Sequence, residues 1–80
     1  AQDDVLIFSD LLGGSPMLSA LRVLSNEEPY KRAIITGMNL PMLVEVVTQI
    51  GMGNDDFYKI VSIAETTGRE GIKTFMKKEE

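Results

Sequence analysis

The 80-residue chain contains no histidine, no cysteine and no tryptophan. Without histidine there is no imidazole for acid–base work, for a Ser-His-Asp triad, for metal ligation or for carrying a phosphoryl group on nitrogen within this chain. Without cysteine there is no disulfide, no thiolate nucleophile and no Cys-based zinc or iron–sulfur site. That usage suits a reducing cytosol. Long apolar runs are lacking too: nothing approaches the ~20 residues of a membrane span, and the opening Ala1-Gln2-Asp3-Asp4 does not read as a signal peptide. Cations are scarce, with 8 Lys+Arg against 12 Asp+Glu, a net charge of -4 and a pI of ≈ 4.7. A nucleic-acid binder needs clustered cations, so that class is set aside. What is present is ordinary globular composition, 44% hydrophobic and 25% charged. The length suits one small domain, residues 1–80, with neither disulfide nor metal as a staple. Its stability has to come from a good core, an oligomer or further sequence.

The first apolar run, Val5-Leu6-Ile7-Phe8, is continuous rather than alternating, which predicts a strand near residues 5–9 buried on both faces. Leu11-Leu12-Gly13-Gly14-Ser15-Pro16 reads as a turn, with Ser15 as N-cap and Pro16 at the first helical position. Met17, Leu18, Leu21 and Leu24 then recur at helical spacing, and Asn26-Glu27-Glu28-Pro29 ends the helix. The unit recurs. Ala33-Ile34-Ile35-Thr36 is a second buried strand, and Gly37–Pro41 is a turn with Asn39 as N-cap. Leu43, Val46, Val47 and Ile50 make an apolar helical stripe, stopped by Gly51 and Gly53. Asn54-Asp55-Asp56 caps a third helix whose apolar face is Phe57, Ile60, Val61 and Ala64. The stretch Thr67–Met76 fits either a helix (Ile72, Phe75, Met76) or one face of a strand (Ile72, Thr74, Met76), and Gly68 and Gly71 weaken the helix. Lys77–Glu80 reads as a solvated tail.

Tandem strand–loop–helix units predict an α/β fold: a parallel sheet with crossover helices. Two parallel strands cannot by themselves make a sheet covered on both faces. The expectation is that another copy pairs with the chain, or that further strands precede residue 5.

The best candidate site is Ser9–Pro16. Ligands of open α/β sheets bind beyond the carboxyl ends of the strands, where Asp10 falls. Gly13 and Gly14 allow positive φ and close approach, and Ser15 offers a hydroxyl at a helix N-terminus, where anions are favoured. A carboxylate facing an anion-binding turn makes sense with a cation or imidazole between them. The plainer alternative is a capped turn with no ligand. Neither GxxxxGK[ST] nor GxGxxG is present. The Gly37–Met42 loop is placed to form a neighbouring wall, or serves only as a capped helix start. The methionines read as core or interface filler rather than sulfur ligands. Glu65–Glu70 reads as a solvated turn rather than an acid–base cluster, and Asp55 and Asp56 as caps.

Taken together, DLLGGSP after the first strand, TGMNLPMLVEVV after the second and AETTGREGIK near the end resemble the mannose-class enzyme IIA domain of the bacterial phosphoenolpyruvate-dependent sugar phosphotransferase system. The likeness runs from about Val5 to Lys73, with three segments in the right order. It implies a domain that takes a phosphoryl group onto a histidine from the histidine-containing phosphocarrier protein and passes it to a IIB domain, serving a membrane sugar permease indirectly. The family's acceptor histidine follows a strand two β/α units before Val5, so the resemblance implies the C-terminal part of an open doubly wound domain, without the acceptor segment. It assigns Asp10 to the aspartate that orients the absent histidine, and Gly13, Gly14 and Ser15 to the turn receiving the phosphoryl group. Asn39 matches the flanking loop. It further implies no cofactor or metal, a cytoplasmic domain held near the inner membrane face through its partners, and a homodimer. In that dimer an antiparallel edge strand around Gly71–Met76 is exchanged between copies. Alone, the chain is expected to form no phosphohistidine. The residues by themselves also allow a non-catalytic anion-binding module or a dimerisation module.

Overall fold

The computed structural model describes residues 4–12 and 14–78, with Pro16 described by its backbone. Five elements follow in order: β1 (Val5–Phe8), α1 (Gly14–Ser25), β2 (Arg32–Ile35), α2 (Leu40–Gly51) and α3 (Phe57–Glu70). β1 and β2 are parallel, in register from Val5 beside Arg32 to Phe8 beside Ile35. A parallel pair needs a long connection, and α1 supplies it. The chain is therefore a small α/β fold.

Side chains alternate across a strand, so Leu6, Phe8 and Ile35 share one face of the sheet. There they pack on Met42 and Val46 of α2 and on Ile60 and Ala64 of α3, which are buried. Arg32 projects to the opposite face, where its guanidinium donates to the Val23 carbonyl at 3.0 Å. That bond places α1 on the second face and adds a second donor to a carbonyl that also accepts from the Asn26 N–H at 3.3 Å where α1 ends. Asn39 caps α2, accepting from the Met42 N–H at 3.1 Å, and Asp56 caps α3, accepting from the Lys59 N–H at 3.1 Å. Gly53, with φ of 86°, turns the chain out of α2 through a conformation that suits glycine.

The structure corrects several expectations. The helix after β1 already includes Gly14, so Ser15 lies in its first turn and does not cap it from outside. The face of α1 that is buried is Met17 and Ala20, while Leu18, Leu21 and Leu24 are exposed. In α2 the buried pair is Met42 and Val46, and Val47 and Ile50 are exposed. Leu40–Gly51 is apolar on nearly every side, so its periodicity could not choose a face. The strands, read as buried on both faces, are half-buried along their whole length. Asp55 does not cap; Asn54 accepts from the Asp56 N–H at 3.0 Å instead. Residues 65–70 are the last turns of α3 rather than a solvated turn, and Glu65 and Arg69 form an exposed ion pair at 2.8 Å. Residues 72–78 carry neither helix nor strand. The radius of gyration is 15.5 Å, against about 12 Å for a compact domain of this length. A short two-stranded sheet and an extended end keep the chain from closing up.

Candidate functional site

Both loops singled out in the sequence leave the carboxyl ends of the two parallel strands, and backbone bonds tie them together. The Ser9 N–H donates to the Ile35 carbonyl at 2.9 Å, and the Ser9 carbonyl accepts from the Met38 N–H at 3.0 Å. The ladder thus continues past Phe8 and fixes where Asp10 begins relative to the second loop. The Ser9 hydroxyl donates to the Leu11 carbonyl at 2.6 Å, tightening the turn. Asp10 follows directly and is exposed.

Gly13 lies outside the described residues. Gly14 has φ of 81°, in the left-handed region, where a Cβ is strained. That is the physical reason for glycine at the junction of loop and helix. Ser15 is exposed in the first turn of α1. The first amides of a helix lack internal acceptors and lie at the positive end of its dipole, so this turn is suited to anionic oxygens.

Asn39 is half-buried, and its side chain is engaged at both ends. Its Oδ1 accepts from Met42, and its Nδ2 donates to the Gly68 carbonyl at 2.8 Å. Its role in the structure is to hold the β2–α2 loop between α2 and α3. Gly68 is the residue that the sequence reading missed in this connection. A helical glycine with no local purpose is the available signal, and read locally it only weakens the helix.

A cavity of about 330 Å³ opens beside this loop, between Thr36, Gly37 and Asn39 on one side and Glu65, Arg69 and Ile72 on the other. A second, of about 280 Å³, lies beneath β1 among Phe8, Ile50, Phe57 and Ile60, with Asp4 and Asp55 at its rim. Neither is lined by Asp10, Gly14 or Ser15. The first loop is therefore an open surface rather than one wall of either cavity. Among the described residues no three carboxylates gather as a metal site.

A family model described as the PTS system fructose IIA component (EIIA-man) matches residues 1–75. The chain belongs to this family. It is 42% identical over 77 residues to the "PTS system mannose-specific EIIAB component" of Escherichia coli (strain K12), covering 92% of this chain and 22% of that protein. The proteins of the same name from Escherichia coli O157:H7 and Shigella flexneri match to the same extent. The chain thus spans about a fifth of the length of these curated relatives. No solved structure matches. Within the IIA family, the loops at Asp10 and Asn39 fall inside the matched region, as does the Glu65–Arg69 end of α3. No helix among the described residues is long and apolar enough to cross a membrane.

Proposed function

We propose that the chain is the C-terminal portion of a IIA domain, and that its two strand-end loops form the supporting half of a phosphoryl relay. The observation that carries this reading is the bond from Met38 to Ser9, which holds the two family-matched loops side by side at the carboxyl ends of parallel strands. A histidine supplied by a preceding segment completes the site. The Asp10 carboxylate accepts from one protonated imidazole nitrogen, fixing the tautomer and leaving the other nitrogen as nucleophile. That nitrogen attacks phosphorus on the histidine-containing phosphocarrier protein. A new N–P bond forms as the carrier's own N–P bond breaks, and the carrier's imidazole, protonated on its other nitrogen, leaves as the neutral base. The Ser15 hydroxyl and the first-turn amides of α1 donate to the phosphoryl oxygens, without a metal. The group then passes to a IIB domain, with a membrane permease downstream and the relay on the cytoplasmic side.

Two features support the preceding segment. β1 pairs only with β2 among the described residues, and the cavity beneath it is lined mainly by apolar side chains, with Asp4 and Asp55 at its rim. Water is a poor permanent occupant of such a surface. A homodimer with an exchanged C-terminal strand is part of the same reading. It is supported by Ile72, Phe75 and Met76, all exposed, with Phe75 at 93%.

The test is phosphoryl transfer from the carrier to the complete domain. Asp10→Asn is expected to slow transfer about 10²-fold with the fold intact, because the amide stabilises the wrong tautomer. Ser15→Ala is expected to do less, since the backbone amide remains. If both variants transfer at the parental rate, the relay does not use this loop.

A further inference from the structure

The end of α3 lies against the Asn39 loop at two glycines. A Cβ on Gly68 would lie 2.5 Å from Met42 Cε, the free end of that side chain, which would have to move aside, and in ordinary contact with Met42 Cβ at 3.4 Å. A Cβ on Gly71 would lie 2.7 Å from Pro41 Cγ. Both positions have negative φ, with Gly71 at -72°, so backbone conformation does not demand glycine at either. Glycine inside a helix is unfavourable relative to alanine. What glycine provides here is contact distance. It lets the Gly68 carbonyl come within 2.8 Å of Asn39 Nδ2. Asn39 is next to Met38, whose N–H holds the Ser9 carbonyl, and Ser9 is next to Asp10. One continuous path of packed and hydrogen-bonded atoms therefore runs from the end of α3 to the backbone of Asp10, the residue assigned to the relay.

We infer that Gly68 is a positioning residue for the phosphoryl site: its missing side chain seats α3 against Met42, so that its carbonyl fixes Asn39 and, through the Met38–Ser9 bond, the placement of Asp10. The inference rests on the relay reading above. It predicts an effect on transfer from a residue that touches no reacting atom.

The experiment measures transfer kinetics from the phosphocarrier in the complete domain, with Asp10→Asn as the reference variant. Gly68→Ala is expected to lower the transfer rate about tenfold, with the KM for the carrier unchanged and far-UV circular dichroism unchanged. The side-chain amide signals of Asn39 in a nitrogen–proton NMR spectrum should move with it. Pairing Gly68→Ala with Met42→Leu removes the colliding Cε and should return the rate to within twofold of Met42→Leu alone. A merely structural glycine would change stability but would leave the Asn39 signals in place. If Gly68→Ala transfers at the parental rate while Asp10→Asn is slow, the positioning role is wrong and the relay reading stands. If both transfer normally, the relay reading fails and takes this inference with it. Should Gly68→Ala not fold, the parental protein decides. One Asn39 amide proton should exchange with solvent well below the rate of a free side-chain amide, and exchange at the free rate would overturn the tether.

Discussion

Replacing Asn39 tests two bonds that the structure assigns to a single side chain. Asn39→Ala removes the cap on α2, donated by Met42 at 3.1 Å, and the donor to the Gly68 carbonyl at 2.8 Å. Loss of an N-cap costs about 1 kcal/mol. Loss of a half-buried neutral hydrogen bond costs about 1 kcal/mol more, and the Gly68 carbonyl is left without that donor on a buried residue. The expected destabilisation is therefore about 2 kcal/mol. Asn39→Ser separates the two contributions. Its hydroxyl still caps the helix, but it is too short to reach α3, so its cost should be about 1 kcal/mol. Urea unfolding of the complete domain at several denaturant concentrations measures both, with unchanged m-values as the sign that the denatured state is unaltered. A serine variant as stable as the parent would refute the Asn39–Gly68 tether. A serine variant as damaged as the alanine variant would refute the cap.

The same capping and packing set three other outcomes. Asp56→Ala should destabilise by about 1 kcal/mol through loss of the α3 cap, read by the same unfolding assay, whereas Asp55→Ala should be nearly neutral. Ala64 is completely buried, so Ala64→Leu should overpack the α2–α3 seam and cost about 1–3 kcal/mol, with thermal unfolding as the check. On the proposed exchanged-strand dimer, truncation after Gly71 should turn a dimer of the complete domain into a monomer in sedimentation, since it removes the exposed Ile72, Phe75 and Met76; a complete domain that is monomeric, or a dimer unchanged by the truncation, would refute that assembly.

The sequence alone determined the order of elements and the two caps at Asn39 and Asp56. Continuous β-branched runs, Asn39 before a proline-containing first turn and Asp56 before Phe57 are local signals, and local backbone chemistry suffices to read them. It also located the loops, because strand ends and glycine pairs are visible in one dimension, and three ordered segments were enough to suggest the family. Which faces are buried belonged to the tertiary structure. Leu18, Leu21 and Val47 have the right spacing for a core, but α1 and α2 each pack on a neighbour that meets Met17 and Ala20, or Met42 and Val46, instead. A helix that is apolar on most sides has no unique inward face until its partner is in place. The end of α3 shows the same dependence in reverse. Gly68 lowers local helix propensity, yet the helix runs on to Glu70 because close packing on Met42 and the bond from Asn39 outweigh the roughly 1 kcal/mol that glycine costs. Propensity is a property of neighbours in sequence; that contact joins residues 29 positions apart, and only the folded chain brings them together.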